Sequence, residues 1–457
     1  MSKRDQDREI TRRALIRWSL AAGAALGLTR AGVLDVLEGA AGRGVAEAAG
    51  ETPMKRSVHI RGVEGGLAWF QLLWPHNDIA AAAATNARFP YHLPGQHQVV
   101  AGTDRPLTIG PDSPFANLGP QRQITAFMAG SNEAHTTQPA SISRALNGNS
   151  MFAIASVLQT ANPAVVPVIA VDDARLGEAP GAPQAAVVPT GADIVGLFNS
   201  AASRAGGLLA RTSHADLYRA HFATLAGLNR ASSRSTTKLA YSTARSAARF
   251  VGTNLADRLE ILPADLVRYG IDGAMRADVA AIGRTLIVTA KAFAMGLTSA
   301  VILPGLRDDP HGAFNDLAAT RNTTLGLKKV LDGFMTDLAG RMDSVTGRPL
   351  SEEIVITVDG DTPKTPLDRN NWLDNTPGNS NWVYVLGGGK LKTGWFGGVD
   401  RAGTVTGFDP GTGAPAAYNG DLQAQAACAA VAYAISRGDA RRVQDFSRVD
   451  ISGIVVP

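Results

Sequence analysis

The chain of 457 residues has a single cysteine, so no internal disulfide can form and stability must come from packing. Cys428 lies inside the apolar, helix-like run Ala424 to Ile435 and reads as a core residue rather than a nucleophile. Charge is also sparse. Charged residues make up 18% of the chain and the net charge is only +4, N-terminal arginines included, which argues against a dedicated nucleic-acid binder. No zinc-finger or RNA-binding signature is present, and there is no internal repeat. Long hydrophobic runs are missing too. The run Trp18 to Leu28 falls short of the ~20 residues that a membrane-spanning helix needs, and no other segment is apolar enough to cross a bilayer. Aromatic content is 6% and mean hydropathy is close to zero, which fits a compact globule. Histidine stops early: there are eight, and the last is His311.

What is present begins with Thr11 to Arg17, TRRALIR, after a charged leader and before a weakly apolar core. Paired arginines followed by Leu15 predict a twin-arginine export signal spanning residues 1–48, with the twin-arginine (Tat) machinery as the precursor's partner. A short basic amphipathic helix is the alternative reading. Ala46-Glu47-Ala48 supplies a small-residue cleavage site, although Thr29 to Gly44 is long for the segment before it. The expectation is a soluble periplasmic or extracellular protein, a single α/β domain over residues 50–457.

The densest stretch runs from Ala300 to Gly398. Val301 to Leu303, Ile354 to Val358 and Trp382 to Leu386 are short, β-branched runs bounded by Gly, Pro or Asp, and each predicts a buried strand of a mainly parallel central sheet sandwiched by helices. Ligands of open α/β sheets bind at the strands' carboxyl ends. The segments following these runs hold Asp308, Asp309, His311, Asp359, Asp361 and Asn371, and the third run ends in Gly387-Gly388-Gly389. Upstream, Gly66 to Trp74 reads as the first buried strand and ends in Pro75-His76-Asn77-Asp78. In Ile124 to Gly148, Thr136 and Thr137 precede Pro139, a good helix start. Gly177 to Pro189 reads as a Pro/Ala/Gly-rich connector. The stretch 192–260 reads as a helical cap, basic between Ser203 and Arg258; it would attract anionic substrates over an acidic cleft, or is a solvated helix face. Helices are also expected over Leu286 to Phe293, Ala313 to Leu338 and Leu422 to Ser436.

Four motifs in this order resemble the domain of unknown function 1501 family, exported proteins with the alkaline phosphatase and sulfatase superfamily fold. They are Asp308-Asp309-Pro310-His311, Gly360-Asp361-Thr362-Pro363-Lys364-Thr365-Pro366, Asp368-Arg369-Asn370-Asn371-Trp372 and Gly387-Gly388-Gly389. The family pattern has W-D-T-H, G-E-F-G-R-T-P and G-x-D-H-W at the first three, so Asp361 replaces Glu and Asn370-Asn371 replaces Asp-His. The resemblance implies an alkaline-phosphatase-like fold, with Asp78, Asp309, His311, Asp361 and Asn371 at metal-ligand positions. For Asp78 an Asx-turn closing the strand serves equally well. Family members have Ser-His near His135. Matching that histidine puts Ala134 in place of the serine, whereas Thr136 or Thr137 at a helix N-terminus would preserve a nucleophile; as a helix cap the threonine pair needs no catalytic role.

In that superfamily two metal ions ~4 Å apart activate the nucleophile and hold the attacking and leaving oxygens of an ester. Asn371 is a neutral, hard ligand, suited to Ca²⁺, Mg²⁺ or Mn²⁺ rather than a zinc pair. Two functions are therefore expected: an exported protein with an eroded metal site and a binding or envelope-associated role, or a metal-dependent hydrolase of small anionic phosphate or sulfate esters. A sulfatase with an oxidised cysteine is set aside, because Cys428 lies near the C-terminus without the Pro and Arg context. Replacing both Arg12 and Arg13 with lysine is expected to leave the precursor in the cytoplasm on cell fractionation; continued export of the double variant would refute the signal assignment.

Overall fold

Short β-branched runs do become strands of one sheet in the computed structural model, which describes residues 53–62, 73–74, 76, 98–99, 105, 107–110, 112–119, 122, 124–131, 145–162, 164–198, 250, 254–307, 316–360, 377–400 and 403–457. In chain order the strands are β1 (Arg56–Arg61), β2 (Gln98–Val99), β3 (Thr108–Ile109), β4 (Thr125–Ala129), β5 (Val168–Val171), β6 (Ala186–Val188) and β7 (Ala300–Pro304). They continue with β8 (Ile354–Gly360), β9 (Asn381–Leu386), β10 (Gly394–Phe396), β11 (Gly398–Val399), β12 (Val405–Phe408) and β13 (Pro415–Ala416). Among the described residues the helices are α1 (Met151–Leu158), α2 (Asp193–Phe198), α3 (Leu255–Leu259), α4 (Pro263–Arg268), α5 (Ala277–Met295), α6 (Leu317–Ala339), α7 (Gly420–Ile435) and α8 (Ala440–Gln444).

Among the described residues, eight strands form the main sheet in the order β10-β4-β9-β8-β1-β7-β5-β6. β8, β1, β7, β5 and β6 are mutually parallel, and β10 is parallel to β4. β9 runs antiparallel to both β4 and β8, so among the described strands of this sheet it alone opposes the others. β11-β12-β13 and β2-β3 are small antiparallel additions.

The sheet alternates side chains between its faces, and each face has its own core. Val58 and Ile60 of β1, Val301 and Leu303 of β7, and Ile356 and Val358 of β8 pack with α5 and α6. Val355 of β8, Val383 and Val385 of β9 and Ile302 of β7 pack with α1 and α7 on the other side. Three of the helices that pack on the sheet begin where a short polar side chain holds their free amides. Ser150 accepts from Phe152 and Ala153 at the start of α1, Asp316 from Ala319 before α6, and Asn419 from Leu422 before α7. α5 ends at Gly296, whose φ of 71° lets the chain turn out of the helix.

Three expectations are corrected. The first strand of the sheet is β1, not Gly66 to Trp74. Residues 66–72 lie outside the described residues, and Leu73 and Trp74 are buried in a turn, where the Trp74 carbonyl accepts from Tyr384 Oη and Trp395 Nε1, each at 3.2 Å. β9 does not join the parallel set, because it is inserted between two strands that point the other way. The connector Gly177 to Pro189 contains β6, which extends the sheet beyond β5. Helices expected around Leu286, Leu338 and Leu422 are present as α5, α6 and α7. Of the stretch 192–260, α2 and α3 are described, while residues 199–249, like residues 1–52, lie outside the described residues.

β1 enters the core behind a charged residue. Arg56 and Asp343 are both buried, with Arg56 Nε 2.6 Å from Asp343 Oδ2 and Nη2 3.2 Å from Oδ1. Arg56 also donates to the Thr298 carbonyl, and Asp343 accepts from the amides of Val345 and Thr346. Replacing Asp343 with alanine strands a buried guanidinium and is expected to cost about 3–5 kcal/mol. Urea unfolding should show this as a lower midpoint with an unchanged slope; a shift within experimental error would contradict the pairing.

Candidate functional site

Because all strands of the main sheet but β9 share a direction, the carboxyl ends of β1, β4, β5, β7, β8 and β10 meet at one edge. A glycine ends or follows several of them, and the close approaches explain why. Gly62 N donates to Asp359 O at 2.7 Å, and a Cβ on Gly62 would lie 2.8 Å from that same oxygen. A Cβ on Gly360 would lie 2.5 Å from the Trp382 ring. Gly305 N donates to Arg61 O, joining the ends of β7 and β1. At the end of β4, Gly130 N donates to Gly420 O at 2.9 Å, Gly130 O accepts from Tyr418 Oη, and Ser131 Oγ donates to Asp421 Oδ1 at 2.6 Å. Arg307, beyond β7, binds Asp172 at 2.5 Å and Asp173 at 2.8 Å beyond β5. His76 packs beside Trp395 and Gly398 at the end of β10.

Beneath this edge runs a polar stripe on the face toward α1 and α7. Ser57, His59 and Arg61 lie on alternate positions of β1, Thr357 and Asp359 on β8, and Asn381 begins β9; all are buried. Gln159 Nε2 donates to the Lys55 carbonyl at 2.7 Å and to Ser57 Oγ at 3.1 Å. His59 Nε2 is 3.0 Å from Ser57 Oγ, and His59 Nδ1 is 2.8 Å from Thr357 Oγ1. Both ring nitrogens are thereby occupied by hydroxyls, which can donate or accept. Burial pushes the His59 pKa down to about 3, so the ring is neutral. The ring lies 4.9 Å from that of Phe152, and the Arg61 guanidinium sits 5.6 Å from the same ring. Arg61 and Asp359 are register partners on β1 and β8. Burial raises the pKa of Cys428, and the charge of Asp359 adds to the effect; a neutral, enclosed thiol is a poor nucleophile.

Asp78, His135, Thr136, Thr137, Asp309, His311, Asp361 and Asn371 all lie outside the described residues. The segments containing six of them leave the sheet at described points: Ser131 precedes His135, Thr136 and Thr137, Arg307 precedes Asp309 and His311, and Gly360 precedes Asp361. Gly387-Gly388-Gly389 belongs elsewhere. It follows β9, so it sits at the amino edge of the parallel strands, opposite the ends of β1, β7 and β8. Sequence reasoning missed Arg61, His59 and Asn381. Their signal is the alternation Ser57, His59, Arg61 between Val58 and Ile60, which marks a strand with one polar face. Among the described residues no group of three or more His, Cys, Asp or Glu is placed to hold a metal ion, and no helix is long and apolar enough to cross a membrane. Asp359 does not by itself suit a cation, since the fixed charge of Arg61 occupies the adjoining strand position. No family model, curated protein or solved structure matches the chain.

The neutral His59 has a consequence for acid stability. Its folded-state pKa lies below the unfolded value near 6.5, so the unfolded chain binds the extra proton. The contribution is complete above pH ~6.5 and is lost as pH falls toward 3, by at most about 1.4 kcal/mol per pH unit. His59→Gln, which removes the titrating group, is expected to flatten that part of the stability profile; an unchanged slope would show that His59 is not the group responsible.

Proposed function

We propose that this is an exported protein of alkaline-phosphatase-like fold that binds its ligand at the carboxyl edge of the sheet, through a metal site eroded relative to that superfamily. Its role is binding or envelope-associated rather than hydrolytic. The observation that carries this reading is the common direction of β1, β4, β7 and β8, which sends the chain from one edge into the segments containing His135 to Thr137, Asp309, His311 and Asp361. That edge is where ligands of open α/β sheets bind. The buried Arg61 and Asp359 give its floor a fixed guanidinium beside a carboxylate.

The hydrolase reading draws on the same convergence. Asp78, Asp309, Asp361, His311 and Asn371 would suffice for one hard cation, which would polarise an ester oxygen when bound. Against a paired zinc centre stand Asn370-Asn371 in place of Asp-His and the lack of any histidine beyond His311. Thr136 or Thr137 would have to supply the nucleophile, with His135 beside it.

A screen of generic phosphate and sulfate monoesters with the purified mature protein, run beside Asp309→Ala, separates the two. The binding reading predicts turnover no higher than in that variant. Robust turnover abolished by Asp309→Ala would establish the hydrolase.

A further inference from the structure

The amino edge of the parallel strands holds a second concentration of charge, remote in the fold from the carboxyl edge. Lys55, just before β1, is only 5% exposed, and its ammonium donates to one acceptor among the described residues, the Gly388 carbonyl at 3.1 Å. An ammonium carries three N–H groups, so two are left over. The charges around it are mostly of its own sign: Arg437 after α7, Lys390 after β9 and Arg122. The nearby carboxylate, Glu353, is already engaged, because Arg437 donates to both of its oxygens and Arg348 lies 3.4 Å away. Arg348 and Arg122 also share Glu352, at 2.7 and 3.5 Å. Five cations thus divide two carboxylates.

The backbone is shaped around Lys55. Gly388 and Gly389 have φ of 60° and 82°, and a Cβ on Gly388 would lie 2.3 Å from the Lys55 nitrogen. Only glycine lets the chain after β9 turn back so closely over the ammonium. Gly388, Gly389 and Lys390 are half-buried, so the cluster opens to solvent on that side.

We propose that this cluster binds a small oxyanion of the phosphate or sulfate type, which accepts the two remaining N–H groups of Lys55 and is enclosed from the solvent side by Lys390. A tetrahedral oxyanion offers several acceptors to converging cations and neutralises the excess charge. The state of Lys55 agrees: burial first, then Arg437, lowers its pKa to about 8, as expected of a lysine among cations with no anion bound. A bound anion reverses that shift, so binding above pH 8 takes up a proton.

Isothermal titration of the full mature protein with inorganic phosphate at pH 8.5, at constant ionic strength and in two buffers of different ionisation enthalpy, tests this. Saturable binding of one phosphate per chain with proton uptake is expected. Lys55→Met should weaken binding by about tenfold or more, the loss of a charged hydrogen bond, and Lys390→Ala should weaken it less while leaving the fold intact. Asp309→Ala, at the other edge, should leave it unchanged. Absence of saturable binding, binding without proton uptake, undiminished affinity in Lys390→Ala and Lys55→Met, or loss of binding in Asp309→Ala would each overturn the proposal. If Lys55→Met does not fold, proton uptake by the unaltered chain and the affinity of Lys390→Ala decide.

Discussion

A strand covered on both faces and paired on both sides must dispose of every polar group it carries, and β1 carries four: Arg56, Ser57, His59 and Arg61. The solution orders its surroundings. Arg56 is matched by Asp343, Ser57 by Gln159, and His59 by Ser57 and Thr357, so the neighbouring strand and helix are fixed relative to β1 by bonds that an apolar core would not supply. His59 can lie there only as the neutral imidazole. The register that pairs His59 with Thr357 also pairs Arg61 with Asp359 and Pro304, so the same alignment makes β1, β7 and β8 end together.

That alignment divides the molecule into two chemically different edges. At the carboxyl edge, close-packed glycines, a guanidinium and a carboxylate sit where the segments with the acidic and histidine residues leave the sheet. At the amino edge cations accumulate around Lys55, with Glu352 and Glu353 shared among them. β9 connects the two edges: Asn381 starts at the first and Leu386 ends at the second. The ordered polar stripe and the aromatic layer of Trp74, Trp382, Tyr384 and Trp395 lie on opposite faces of the sheet between these edges.

The sequence announces β7, β8 and β9 because each is β-branched and bounded by a breaker, and it announces α5, α6 and α7 through apolar periodicity. It conceals β1, since a run with Ser, His and Arg on one face looks half-exposed until α1 is known to cover that face. It also conceals strand direction. Val383 and Val385 would look the same in a parallel or an antiparallel strand, and only pairing with β4 and β8 decides. β6 hides in a Pro/Ala/Gly-rich stretch because an edge strand of three residues needs little propensity. For the candidate site, the residue types along Asp309, His311 and Asp361 are legible as chemistry, while their role rests on the family resemblance. Arg61 and Lys55 are legible only as charges beside a strand; burial, a property of the fold, gives them their significance.

On the proposed reading, the carboxyl edge takes its ligand without a paired zinc centre of the alkaline phosphatase type. Elemental analysis of protein purified without chelators decides this, with Asp309→Ala as the control for site-bound metal. At most one Ca²⁺, Mg²⁺ or Mn²⁺ per chain is expected, reduced in that variant if present. Two zinc ions per chain, lost together in Asp309→Ala, would contradict it.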